Sequence, residues 1–234
     1  SHAAGSTTSP SGKTVTYTYT GTGGTSYGPS STAPTAVGSF TVDAAVSDAN
    51  YTGTATGTLS IGKASATVSI TNLTQTYDGS SKAVSTSTSP SGKTVNVTYA
   101  GSGSTTYASS STAPTNVGTY DVTATISDGS YQGSTTATLT INKATATITL
   151  SGLSQTYNGS TRPAGSTTSP SGLTVTYTYT GTGGTSYGPS STAPTNAGSY
   201  TVDAAVSDAN YSGTTTGTLT INKATATITL SGLS

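Results

Sequence analysis

One interval, 80 residues, governs this chain of 234. Pro10, Pro90 and Pro170 each stand in the string Ser-Pro-Ser-Gly, and Pro34, Pro114 and Pro194 each stand in Ser-Thr-Ala-Pro-Thr. Tyr51, Tyr131 and Tyr211 keep the same interval, each shortly after an aspartate. No insertion or deletion disturbs the register. An interval of this size is one small domain rather than one turn of a solenoid. The first and third copies are nearly the same over long stretches. The second differs more: Val95-Asn96-Val97-Thr98-Tyr99 stands where the first has Val15-Thr16-Tyr17-Thr18-Tyr19. The apolar pattern survives while the residues between change, as expected of a repeat shaped by packing.

Within a copy the local period is two. Val175, Tyr177 and Tyr179 alternate with threonines; Tyr200, Val202, Ala204 and Val206 alternate with Thr201, Asp203 and Ala205. Such alternation places one set of side chains on each face of a pleated strand, and Thr, Val, Ile and Tyr suit a half-buried strand. Clusters of Gly, Pro, Ser and Asn between the runs read as turns. Six or seven short strands per copy predict an all-β antiparallel sandwich. Residues 218–230 hold neither Gly nor Pro, so the last strand of one copy is expected to enter the first strand of the next through a short, stiff connection.

The frame predicts copies at 1–63, 64–143 and 144–223, with 224–234 as the first strand of a following copy. The copy at 1–63 then lacks the strand that opens the others near Ala64 and Ala144. Residues 224–234 carry the matching pattern, with Ile228, Leu230 and Leu233 free to insert. A sandwich without that strand exposes unpaired backbone groups and an apolar groove. The expectation is therefore head-to-tail association by strand donation, which propagates as a filament because the contact does not close on itself.

Composition removes whole classes of function. Charged residues make up 6% of the chain and seven basic groups balance seven acidic ones, all aspartates. That is no footprint for nucleic acid or for an anionic membrane surface. No run approaches the ~18 apolar residues of a membrane helix, and no signal-peptide pattern opens the chain. There is no Cys and one His, the terminal and unrepeated His2. No Ser/His/Asp set, thiolate or metal cluster can be assembled from them, so neither an enzyme nor a cofactor is expected. High Ser, Thr and Gly content resembles a disordered tract, but disorder comes with high net charge and without periodicity.

Ala193-Pro194-Thr195-Asn196-Ala197-Gly198-Ser199-Tyr200-Thr201-Val202, Ser207-Asp208-Ala209-Asn210-Tyr211-Ser212-Gly213 and Leu219-Thr220-Ile221-Asn222-Lys223-Ala224 resemble the signature of the mostly bacterial Ig-like (MBG) repeats. Gln75-Thr76-Tyr77-Asp78-Gly79 and Gln155-Thr156-Tyr157-Asn158-Gly159 resemble the entry motif of the same family. The resemblance spans essentially the whole chain. It implies an Ig-like β-sandwich module repeated in large secreted or surface-attached bacterial proteins, often adhesins, where such repeats act as stalks or spacers. It brings no catalytic residues.

Several residues invite sharper readings. The aspartate pairs Asp43/Asp48, Asp121/Asp128 and Asp203/Asp208 suggest calcium, but the ion needs six to eight oxygens, and aspartates beside turns ordinarily bond local backbone. Lys63, Lys143 and Lys223 recur in register, with Asn142 and Asn222 adjoining two of them, which suggests an isopeptide cross-link. A lysine at a copy junction is ordinarily a snorkelling surface group. The row Thr14, Thr16, Thr18, Thr20 suggests ice binding, but twisted sheets make poor flat arrays. Tyr27 and Tyr187, in the loop Gly-Gly-Thr-Ser-Tyr-Gly-Pro, are the candidates for ligand contact, because loops carry function more often than strands. Two classes of function remain: a structural stalk at the cell surface or outside the cell, whose partners are its own neighbouring repeats, and a ligand-binding adhesive module repeated for avidity. The stalk reading makes a rod. With strands of about nine residues spanning roughly 30 Å and short junctions, small-angle scattering should give a maximum dimension on the order of 100–130 Å; a compact globule or freely jointed beads would contradict it.

Overall fold

The structure is a computed structural model that describes residues 2–232. All regular structure among the described residues is β. The leading copy carries β1 (Val15–Thr22), β2 (Gly38–Val46) and β3 (Thr54–Ile61). The middle copy carries β4 (Ala64–Ser65), β5 (Thr67–Thr71), β6 (Thr74–Thr76), β7 (Ser85–Ser89), β8 (Val95–Gly101), β9 (Gly118–Ile126), β10 (Tyr131–Gln132) and β11 (Ser134–Asn142). The third carries β12 (Ala144–Thr145), β13 (Thr147–Ser151), β14 (Ser154–Thr156), β15 (Gly165–Ser169), β16 (Val175–Thr182), β17 (Gly198–Val206), β18 (Tyr211–Ser212) and β19 (Thr214–Asn222). Compactness divides the chain into two units: one of Ser1–Thr71, Val84–Tyr99 and Val122–Ala137, the other of Asn72–Ala83, Ala100–Asp121 and Thr138–Ser234. The division runs through the middle copy.

The third copy shows the sandwich in full. One layer is the sheet β14-β19-β17-β16, and the other is the antiparallel pair β13-β15, whose strand β13 lies over β17 and β19. Register places Val202 opposite both Tyr179 and Gly217, and Tyr200 opposite Leu219. The inward phase read from the sequence is the buried one: Tyr179, Tyr200, Val202, Leu219 and Ile221 form the core with Ala164, while the intervening threonines and Asp203 face out. Gly217 is small for a reason, since a Cβ there would stand 2.8 Å from Leu150 Cδ1 of the overlying strand. The core tyrosines bind the chain to itself through their hydroxyls. Tyr19, Tyr99 and Tyr179 accept the backbone N–H of Ala4, Val84 and Ala164 at 2.9, 3.2 and 3.1 Å.

The full copies have eight strands rather than six or seven, because the opening strand is split. β4 runs parallel to β10, then the chain passes Ala66 and continues as β5, antiparallel to β7; β6 follows, parallel to β11. The third copy repeats this with β12 on β18, β13 on β15 and β14 on β19. The change of partner brings backbones together. Ala66 N–H donates to Gln132 O at 2.9 Å and Ala146 N–H to Ser212 O at 2.8 Å. A Cβ on Gly133 or Gly213 would lie 2.0 Å from the carbonyl oxygen of Ala66 or Ala146. Only glycine tolerates that approach. Junctions are as short as expected: Lys143 alone separates β11 from β12, and Gly62 with Lys63 separates β3 from β4.

The leading copy has the sheet β1-β2-β3 with the same registers as β16-β17-β19, but no strand covers its inner face among the described residues. Leu59 and Ala44 are half-buried there, where Leu139, Ala124 and Leu219 are fully buried and Ala204 nearly so. Gly53, the counterpart of Gly133 and Gly213, has only a Val46 methyl 3.5 Å from its virtual Cβ. The comparison makes a prediction. Gly213→Ala should destabilise the third copy by about 1–3 kcal/mol through overpacking, whereas Gly53→Ala should leave the melting temperature of the monomeric chain unchanged. Equal effects in differential scanning calorimetry would contradict the close-approach account.

Candidate assembly site

The uncovered face of the leading copy holds two adjoining hollows, about 210 and 370 Å³. Val15, Val46, Gly53 and Ala55 line the first; Tyr17, Val42, Gly57 and Leu59 line the second. Beside them runs the free edge of residues 5–9, whose counterparts Gly165–Ser169 pair with β13 in the third copy. At the other end of the sequence, residues 223–232 form no strand. Ile228 is 86% exposed and Leu230 73%, although Ile148, at the corresponding position, is 9% exposed. Leu233 lies outside the described residues. The sequence from 144 to 154 is identical to that from 224 to 234, so residues 224–231 repeat the composition and pattern of β12 and β13.

The lysines at the junctions act on backbone. Lys63 Nζ donates to Asp128 O and Lys143 Nζ to Asp208 O, each at 2.6 Å. Asn222 donates its side-chain amide to Gln155 O at 3.3 Å instead of meeting a lysine. The junction lysine therefore caps the Asp turn of the copy that it enters. Lys223 is the third of the series.

The aspartates hold turns and strand faces. Asp128 Oδ1 accepts the N–H groups of Ser130 and Tyr131, and Asp208 Oδ1 those of Asn210 and Tyr211, at 2.7–3.0 Å. Asp43 and Asp203 each accept the hydroxyl of a cross-strand threonine, Thr56 or Thr216, at 2.7 Å. No group of three or more His, Cys, Asp or Glu that could hold a metal ion occurs among the described residues.

Tyr27 and Tyr187 brace their loops. Tyr27 stacks edge-on against Phe40 with ring centroids 5.6 Å apart and donates its hydroxyl to Thr32 O at 2.7 Å. Tyr187 does the same with Tyr200 at 5.5 Å and Thr192 O at 2.8 Å. Both are half-buried. The outward threonines Thr16 and Thr176 turn their hydroxyls to the carbonyls of Ala45 and Ala205 at 3.2 Å.

The sequence reading missed two features of the site. The first is the glycine at 53, 133 and 213, the one conserved-in-register residue that the opening strand must cross; its recurrence in all three copies was the available signal. The second is the exposure of Tyr51 and Tyr157, which only neighbouring copies reveal.

The electrostatics are quiet. The Ser130 N–H first, with Lys93 nearby, holds the Asp128 carboxyl below the ordinary value of 3.8; the Lys82 ammonium first, then the Ser80 N–H, does the same for Asp78. Burial pushes the phenols of Tyr120, Tyr179 and Tyr200 above their ordinary 10.0. A raised phenol favours the protonated folded state, so its contribution is complete below pH 10 and is lost as pH rises from 10 through the folded value. Thermal melts should be flat from about pH 7 to 9 and fall above about 10. Tyr120→Phe with Tyr200→Phe should shallow that fall, at a cost near 1 kcal/mol for each lost hydroxyl bond to Asn116 O or Asn196 O. Phe40 already fills this position in the leading copy.

Comparison with known proteins places this arrangement. No curated protein matches the chain. The MBG domain matches three times in tandem, over residues 1–65, 66–145 and 146–225, two residues later at each boundary than the frame read from the sequence. That family is a structural, adhesin-type domain of surface proteins, not known for catalysis, and no helix among the described residues is long and apolar enough to cross a membrane. With its three matches covering all but the last nine residues, the chain belongs to the MBG domain family.

Proposed function

We propose that this chain is a non-catalytic stalk or spacer segment of a secreted or surface-attached protein, and that its leading copy can take up the strand at residues 224–234 of a second copy. Length is what tandem copies joined by one or two residues supply, and stiffness follows from junctions that run from strand to strand. The alternative, a repeated ligand-binding module, asks for a free aromatic surface on each copy; the loop tyrosines already use their rings and hydroxyls internally, which favours the stalk.

The observation that carries strand donation is the seat itself. In the third copy, residues 144–151 cover β17 and β19, and the same residues recur at 224–231. The leading copy offers the same registers, and no strand fills the seat among the described residues. Strand addition would pair the edge at residues 5–9, bury Ile228 and Leu230 over Val46, Ala44 and Leu59, and bring Lys223 to Asp48 O as Lys143 is brought to Asp208 O. The contact is head-to-tail, so it extends rather than closes.

Sedimentation tests the reading. The full chain should self-associate with concentration, and deletion of residues 224–234 should abolish it. Gly53→Ala should abolish it as well without altering the fold, because its Cβ would stand where the Ala226 carbonyl docks, by analogy with the 2.0 Å approach at Gly133 and Gly213. A truncated chain that associates as strongly as the full one would refute strand donation.

A further inference from the structure

The turns that follow β6 and β14 share one backbone frame. Tyr77 N–H donates to Asn142 O at 2.9 Å and Tyr157 N–H to Asn222 O at 2.8 Å. Lys82 N–H and Arg162 N–H donate to Pro114 O and Pro194 O at 2.7 and 2.8 Å. Gln75 Nε2 spans its loop to Asn72 O and Ala83 O, and Gln155 Nε2 to Gly152 O and Pro163 O, at 2.8–3.0 Å. Gly79 and Gly159 have φ of 84° and 85°. Within this frame the side chains that close the turn differ: Asp78 with Lys82 in the middle copy, Asn158 with Arg162 in the third.

The middle copy satisfies its turn. Asp78 Oδ1 accepts the Ser80 N–H at 2.8 Å, and Oδ2 meets Lys82 Nζ at 2.5 Å. Lys82 is 8% exposed, so the carboxylate compensates a cation that burial alone would penalise. In the third copy, Asn158 Oδ1 accepts the Ser160 N–H at 3.0 Å in the same way. Its other terminal atom, Nδ2, is a donor and cannot receive a cation. Arg162 donates from Nη2 to Thr156 O, while its Nε is buried and has no hydrogen-bond partner among the described residues. A buried donor without an acceptor is a standing cost, larger on a charged group. One atom separates the two turns: Asp78 has an acceptor oxygen where Asn158 has a nitrogen.

Asn158 is also the one asparagine of the chain that glycine follows. It lies exposed beyond the end of β14, and a Cβ built on Gly159 would have no atom within 4 Å. Such a site suits attack of the following backbone nitrogen on the side-chain carbonyl, because glycine puts no Cβ in the way and no strand ladder holds the backbone.

We propose that Asn158 is a self-modification site, converting to aspartate and so giving Arg162 the carboxylate that Lys82 already has in Asp78. The Gly159 nitrogen bonds to Asn158 Cγ, its proton passes to Nδ2, the Cγ–Nδ2 bond breaks, and ammonia leaves behind a cyclic imide. Water then adds to Cγ and breaks the new N–Cγ bond, which restores the main chain and leaves a carboxylate at 158. The net change is one water consumed and one ammonia released, with nothing oxidised or reduced. The new oxygen stands where Nδ2 stood and receives Arg162 Nε, while Oδ1 keeps the Ser160 N–H. Ageing at this position therefore strengthens the turn instead of loosening it. None of this depends on strand donation.

Incubation of the full chain at mildly alkaline pH, which favours loss of the Gly159 proton, should give the mass shift of one amide-to-acid exchange, placed at 158 by peptide mapping. Asn158→Gln should not show it over the same time. Asn158→Asp, made directly, should melt about 2–4 °C above the parent chain, the worth of one charge-assisted bond in a chain of this size. Made in the Arg162→Gln background, the same substitution should give no gain. An amide that persists at 158 while a free peptide of residues 154–162 converts would overturn the modification, as would a product linked only through the isoaspartyl bond, with Gly159 left on Cγ. A chain carrying Asn158→Asp that melts no higher than the parent, or whose gain survives Arg162→Gln, would overturn the pairing with Arg162.

Discussion

The middle and third copies depend on the backbone hydrogen bonds that hold the opening strand against the start of the closing hairpin: Ala66 N–H on Gln132 O in the middle copy, Ala146 N–H on Ser212 O in the third. These bonds fix the point at which the strand leaves one layer and joins the other. They draw two backbones so close that the residue beneath must be glycine, at 133 and 213. Once the strand is seated, it covers the inner face of the sheet, and Leu139 and Leu219 become fully buried. Where it is absent, Leu59 at the same position is only half-buried. The core of a copy is thus not complete within its own hairpins. It is closed by a strand that leaves the preceding copy after one or two residues, which couples the folding of one copy to the chain of its neighbour.

That dependence explains how so polar a chain folds at all. Only 30% of its residues are hydrophobic, and Trp and Met are absent. Tyrosine supplies the large buried surface, and each buried ring brings a hydroxyl that finds a partner on the backbone. Tyr99 and Tyr179 accept an N–H from 15 residues upstream, and Tyr120 and Tyr200 donate to a loop carbonyl four residues upstream. The aromatic groups therefore serve at once as core and as cross-links between strand and loop. A small domain that has no disulfide must find its closure elsewhere, and here it comes from these bonds and from the incoming strand.

The few charges are spent locally. Aspartates close turns or receive threonine hydroxyls, and the junction lysines cap turn carbonyls. No group of three or more His, Cys, Asp or Glu that could hold a metal ion occurs among the described residues. Chemistry of this kind shapes and spaces a backbone. Tyr77, Tyr211, Asn116 and Asn210 join the middle copy to the third without any charge.

The period of 80 and the alternation within it determined the β-sandwich and its inward phase before any coordinate was known: Tyr179, Tyr200, Val202, Leu219 and Ile221 are buried as their spacing required, because the pleat turns alternate side chains to opposite faces whatever else the chain does. The short junction was legible for the same reason, being a matter of register alone. What only tertiary structure decided are the contacts between residues far apart in sequence. No local pattern says that Ala146 and Gly213 must meet at backbone distance, that Tyr27 and Tyr187 turn inward onto Phe40 and Tyr200, or that Tyr77 finds Tyr211. These depend on where the opening strand crosses between layers, and that crossing is set by packing across the sandwich, which periodicity along the chain does not encode.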